Sequence, residues 1–200
     1  MAQTLKISSV GQPTKEIVSL FPKQGEWTEE DYYRLPETNR IIELSEGKLI
    51  MTPAPTTQHQ LILGDLFLLI GNYVLSNNLG KIVTSPVEVR LWKGKIRQPD
   101  IAFMSSEHLD RITKQDFGVP DLAVEMLSKS TAETDRENKY QEYEKAGVSE
   151  YWIVDPDAKT IEIYALENKA YILLGKWGIG EIASSKLLDG FKVSVDEIMV

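Results

Sequence analysis

Two nearly all-apolar segments separated by one helical stretch place the strongest constraint on what this chain can fold into. The run PDLAVEML from Pro120 offers no polar alternation apart from Glu125, the pattern of a strand covered on both sheet faces. EYWIVD from Glu150 reads as another central strand. Between them, Ser130 and Glu133 form a capping-box pattern that opens a helix through TAETDRENKYQEYEKA, and Gly147 ends it. A helix between two covered strands predicts an α/β domain with a mixed central β-sheet flanked by helices.

The rest of the chain supplies more strands and one long helix. Thr28 before Glu29, Glu30 and Asp31 caps a short helix that Pro36 stops. RIIELSEGKLIMTP is a hairpin turning at Ser45-Glu46-Gly47, which places Glu43 on a strand. Thr57 and Gln60 suggest a capping box for a helix whose Leu63, Leu66, Ile70 and Tyr73 form the buried stripe, with His59 in phase one turn earlier. KIVTSP, VEVRLW and PDIAFM read as consecutive strands, with Lys93-Gly94-Lys95 as a separator. Asp155-Pro156-Asp157 then turns EYWIVD into the more exposed strand KTIEIYAL, and AYILL and GFKVSVDEIM close the chain as edge strands or a terminal turn. At 200 residues the expected organisation is a weakly ordered arm over residues 1–26 and a single domain over residues 27–200.

Composition narrows the function. The absence of cysteine excludes disulfides, thiolate metal sites and cysteine nucleophiles, and fits a cytoplasmic location. Only His59 and His108 are present, so histidine-rich metal sites are excluded. No secretory signal is expected, and LILGDLFLLIGNYVL, interrupted by Asp65, reads as a core helix rather than a membrane span. A P-loop, a dinucleotide glycine pattern and a serine elbow are all lacking. The formal net charge of -8 opposes non-specific binding to phosphate backbones, although a carboxylate-rich metal site would contribute to that sign.

Asp100, just after Pro99 at the start of a strand, and Glu125, inside a strand, are costly positions for lone carboxylates. If their strands are neighbours, the two acids converge into a hard oxygen site for Mg2+ or Mn2+, the chemistry that phosphodiester hydrolysis uses. The alternative is that Glu125 is ion-paired to a structural Lys or Arg. Lys139, four residues after Asp135, reads on spacing alone as half of an exposed helix pair. Glu43 reads equally as a surface residue of its hairpin, and His59 as a half-buried hydrogen-bonded histidine. Tyr140 and Tyr143 read as core packing.

Pro99-Asp100, PDLAVEMLSKST from Pro120 and DRENKYQEYEKAGVSEYWIVDP from Asp135, together with the IIELSEGKLIMTPAP hairpin and His59, resemble the Uma family of restriction endonucleases. That resemblance implies the restriction-endonuclease-like fold of the PD-(D/E)xK nuclease superfamily. It also implies a metal-dependent endonuclease acting on DNA, with no membrane partner and with a homodimer as one expected assembly. Asp100 then takes the place of the motif aspartate and Glu125 that of its second acid, the two binding the metal. The lysine expected two residues after that acid is missing, since Met126 and Leu127 follow. Lys139, from the adjoining helix, is implied as its substitute, Glu43 as the additional N-terminal acid, and His59 as a family histidine of open role. The competing reading is a catalytically inactive binding module that keeps the nuclease fold.

Overall fold

The computed structural model describes residues 21–36 and 40–199. The arm expected over residues 1–26 therefore lies mainly outside the described residues. Thr28 caps α1 (Glu29–Tyr33) as expected: its hydroxyl accepts from the Asp31 N–H, and the Asp31 carboxylate accepts from the Thr28 N–H. The hairpin follows as β1 (Ile42–Ser45) and β2 (Lys48–Met51), turning through Glu46 and Gly47 at φ 50° and 74°, the handedness a two-residue turn needs to match strand twist. The Gly47 carbonyl accepts from the N–H groups of Gly25 and Trp27 at 2.7 and 3.0 Å, so the segment before α1 clasps the hairpin turn.

Helix α2 (Thr57–Ser76) begins one residue earlier than its sequence signal. Thr56, extended after Pro55, is the cap, and its hydroxyl accepts from the His59 N–H at 3.2 Å. Ile62, Leu63, Leu66, Ile70 and Val74 form the buried stripe, while Tyr73 stands at the edge and donates to the Asp189 carbonyl. By length and composition alone α2 could cross a membrane. In the fold its apolar stripe is packed against the sheet.

The main sheet runs β10 (Ala170–Trp177), β9 (Thr160–Glu167), β8 (Glu150–Asp155), β7 (Leu122–Met126), β6 (Ile101–Ser105) and β3 (Gly80–Thr84). All of its pairings are antiparallel except β7 with β8. A parallel pair needs a crossover connection, and this one carries a π-helical stretch, Thr134–Lys139, running into α3 (Tyr140–Ala146). Gly147 ends α3 at φ 87° as expected. The Ser130–Glu133 capping box does not form. Hydroxyl bonds instead link Ser128 to Ser130 and Thr131, and Glu133 makes no side-chain cap.

Two further differences concern topology and burial. Lys95–Arg97, within what reads as a separator and a strand lead-in, is a strand of its own, β5. Gly94 at φ 81° turns the chain tightly enough for Lys95 to pair back onto Trp92 of β4 (Val89–Trp92). β4 and β5 therefore leave the main sheet and join the hairpin in a second sheet of order β2-β1-β5-β4. The strand expected to be exposed, β9, is largely buried, because β8 and β10 cover both its edges and Ile161 and Ile163 point into the core. A two-stranded ribbon, β11 (Ile182–Ser184) with β12 (Lys192–Ser194), and α4 (Val195–Ile198) complete the described chain.

Side-chain alternation divides the core. Ile101, Leu122, Val124, Met126, Trp152 and Val154 pack with the α2 stripe. Ala102, Ala123, Tyr151 and Ile153 pack with Tyr143 of α3 on the opposite face. Glu125, two residues after Ala123, shares that second face.

Candidate active site

β6 and β7 are neighbours, and their register ends at Ile101 opposite Val124. Asp100 and Glu125 are the next residue on each strand, so the period-2 geometry turns both acids to the α3 face of the sheet. Asp100 is tied across the pair: its Oδ2 accepts from the Met126 N–H at 2.7 Å. Both acids line a cleft of about 490 Å³ together with Glu43 of β1, His59 of α2, and Asp135 and Lys139 of the π-helical stretch. All five residues expected to form a site are thus brought to one cleft, from five different elements.

Lys139 lies at the centre of the cluster. Its Nζ is 2.8 Å from Glu125 Oε2, 3.1 Å from Asp135 Oδ1 and 3.7 Å from Glu43 Oε1. The exposed Asp135–Lys139 pair that spacing alone suggests is instead buried, with side-chain exposures of 1% and 6%. A π-helical turn takes one more residue than an α-turn, a feature found often at functional sites, and both side chains of this stretch reach the cleft floor. Glu43 is not a surface residue either, being 1% exposed.

The second Glu125 oxygen, Oε1, accepts from the buried Tyr143 hydroxyl at 2.7 Å. Tyr143 packs in the core as expected and also touches the site. His59 Nε2 lies 3.4 Å from Asp100 Oδ1, and its buried Nδ1 has no hydrogen-bond partner among the described residues.

Burial pushes the Glu125 carboxyl well above the ordinary range; Lys139 pulls it back, and the charges of Asp135, Asp100 and Glu43 push it up further. Asp135 is raised by burial too, against the pull of Lys139. Glu43 is lowered, because the charges of Lys139 and Arg97 and the Gln98 N–H outweigh its burial. Burial disfavours the charged Lys139 ammonium, yet Glu125, Glu43 and Asp135 hold it well above the usual lysine range. For His59, burial is outweighed by Asp100, leaving the imidazole more basic than usual. Carboxyl groups outnumber amines around the cleft: Glu43, Asp100, Glu125, Asp135 and Asp157 against Lys129 and Lys139. Removing one member of such a buried pair while leaving its partner charged costs about 3–5 kcal/mol.

Arg97, Glu142 and Lys95, which sequence reasoning missed, extend the cluster. The Arg97 guanidinium donates to both Glu142 oxygens at 2.7 and 2.9 Å and to Glu43 Oε2 at 2.8 Å. Lys95 donates to Glu142 Oε1 and to Ser45 Oγ, each at 2.6 Å. Lys95 and Arg97 flank Ile96 just after Gly94, an alternation too short to identify a strand by itself. Glu142, three residues after Lys139, falls on the same helical face.

Whether these residues suit a divalent cation can be judged from the donors. The acids are hard oxygen ligands, carboxyl groups outnumber amines in the lining, and Asp135 Oδ1, although close to Lys139, is a buried oxygen without an aligned hydrogen bond among the described residues. Among the described residues no three of His, Asp and Glu are grouped to enclose an ion by themselves. The donor set therefore fits a two-carboxylate site in which water or substrate oxygens complete the shell, the usual preference of Mg2+.

The Uma2 family, described as "Putative restriction endonuclease", matches residues 29–196. The chain belongs to the Uma2 family. Its matched span runs from α1 to α4 and holds every residue of the cluster, so the whole cleft is built from Uma2 sequence. The crystal structure of a "putative nuclease" belonging to DUF820 from Anabaena variabilis is similar to this Uma2 chain with a TM-score of 0.70, at 20% identity, over 86% of this chain and 97% of that one. That likeness establishes the nuclease-like mixed α/β fold. No curated protein matches the chain.

Proposed function

We propose that the chain is a Mg2+- or Mn2+-dependent endonuclease that hydrolyses DNA phosphodiester bonds, with Asp100 and Glu125 as the metal-holding pair. The observation that carries this reading is the convergence of both acids and one amine in a cleft whose lining holds more carboxyl groups than amines. Membership of a family described as "Putative restriction endonuclease" supports that reaction class. A divalent ion bound there would polarise a phosphoryl oxygen and acidify a water.

The chain's own groups do the rest. Asp100 keeps Oδ1 toward the cleft while Oδ2 is fixed by the Met126 N–H, so its orientation is set before any ligand arrives. Glu125 accepts one hydrogen bond on each oxygen and retains lone pairs for a cation. The Lys139 ammonium offsets charge developing on the phosphate and orients the attacking water. His59 steadies the Asp100 carboxylate through Nε2.

The 2.8 Å Lys139–Glu125 contact and the net charge of -8 favour a second reading, a non-catalytic module in which these charges form a closed structural network. Incubation of the purified chain with supercoiled plasmid and Mn2+ separates the two. The enzyme reading expects nicked or linear product, abolished by chelation and at least 100-fold slower in Asp100→Ala with folding retained. Undiminished cleavage by Asp100→Ala, or none by the wild-type chain, contradicts it.

A further inference from the structure

Glu43 lines the same cleft as the proposed metal pair, but its oxygens are already engaged. Oε2 accepts from Arg97 Nη1 at 2.8 Å, and Oε1 accepts from the Gln98 N–H at 2.9 Å while lying 3.7 Å from the Lys139 ammonium. Arg97 is itself fixed, its Nε and Nη2 donating to the two oxygens of Glu142, which Lys95 also holds. A planar guanidinium satisfies two carboxylates at once because its five N–H donors form a rigid fork. Arg97 is 1% exposed, so water does not compete for those donors.

From this geometry we infer that Arg97, clamped by Glu142, is a positioning residue: it keeps the Glu43 carboxylate off Lys139, so that the ammonium stays on Glu125 and Asp135. Lys139 faces three acids at 2.8, 3.1 and 3.7 Å, and the longest of these contacts is to the one acid that Arg97 holds. Without the guanidinium, Glu43 would be a buried carboxylate lacking its hydrogen-bonded cation, with the Lys139 ammonium 3.7 Å away to draw in. The amine would then shift toward β1, away from Glu125. Glu43 acts in this account through Lys139 and not as a second metal ligand. The role in turnover rests on the endonuclease reading, whereas the coupling of Arg97 to Lys139 does not.

The test combines Arg97→Gln with the double variant Arg97→Gln/Glu43→Gln. It reads single-turnover cleavage, Mn2+ affinity by calorimetry and the 15N-lysine ammonium signal of Lys139. The single variant is expected to lose at least 30-fold in kcat with KM and Mn2+ affinity within about threefold, and to move the Lys139 signal. The double variant, with no carboxylate left to compete, is expected to recover at least tenfold in kcat and to return the signal toward wild type. Should Arg97→Gln fail to fold, Arg97→Lys keeps the charge without the fork, and the same partial loss and rescue are expected. A double variant worse than the single one, or a Lys139 signal unmoved by either Arg97 variant, overturns the inference. So does a tenfold fall in Mn2+ affinity on Glu43→Gln alone, which would make Glu43 a ligand. If the wild-type chain cleaves no DNA yet the Lys139 signal moves and returns as stated, the endonuclease reading fails and the positioning role stands.

Discussion

Glu162 and Glu125 are both buried strand glutamates, and their surroundings drive them in opposite directions. Around Glu162, burial raises the carboxyl, but hydrogen bonds from Arg136, Lys176 and Tyr164 outweigh it and leave the pKa at about 2. A carboxyl depressed in the folded state stabilises it above the unfolded value of 4.5, and that contribution disappears as pH falls toward 2. Arg136 and Lys176 are 35% and 50% exposed, so solvent screening reduces the effect to about 1–2 kcal/mol. Glu162→Gln is therefore expected to be less stable than wild type at pH 7 by that amount and to converge with it near pH 2, as read from urea unfolding across pH. Glu125 lies on the other side of the balance. Its raised carboxyl favours the folded state at low pH, and that favour is lost as pH rises above 4.5, so ionising Glu125 without a cation costs stability.

At the scale of elements, the hairpin β1–β2 connects the N-terminal segment to the site. Its turn residue Gly47 has φ 74°, and a Cβ there would lie 2.4 Å from the Gly25 carbonyl oxygen. Gly47→Ala is expected to cost about 1–2 kcal/mol through the positive φ and the displaced clasp. Faster amide exchange at Gly25 and Trp27, whose N–H groups bond the Gly47 carbonyl, would localise the damage; unchanged exchange there would mean the clasp is not what Gly47 supports. The hairpin was legible in the sequence because its turn chemistry and alternation are local. The α2 stripe and the covered strands β7 and β8 were legible for the same reason. β5 was not, since three residues carry too little periodicity and its identity depends on pairing with β1 and β4. The π-helical stretch was hidden too, because residues Thr134–Lys139 read as an ordinary helix and only tertiary packing sets their extra turn residue.

Across the whole molecule, Asp100 and Glu125 were legible because a lone carboxylate in a strand needs an explanation, whereas Lys139 and Glu43 read locally as surface groups and only the family resemblance singled them out. Arg97 and Glu142 were not, because their partners lie 54 and 45 residues from Arg97 in the chain and no local pattern records such a pairing. The result is a cleft into which five elements each deliver a polar group, under an overall charge of -8 that a divalent cation at the floor would locally relieve. Binding only to the folded state stabilises it by about 2.7 kcal/mol at a ligand concentration 100-fold above the dissociation constant. The most direct measurement is the melting temperature of wild type and Glu125→Gln with and without saturating Mn2+ at neutral pH. Mn2+ is expected to raise the melting temperature of wild type and to leave that of Glu125→Gln, whatever its metal-free value, unchanged. An equal Mn2+ shift in both proteins, or none in wild type, would contradict the claim that Asp100 and Glu125 hold a divalent cation.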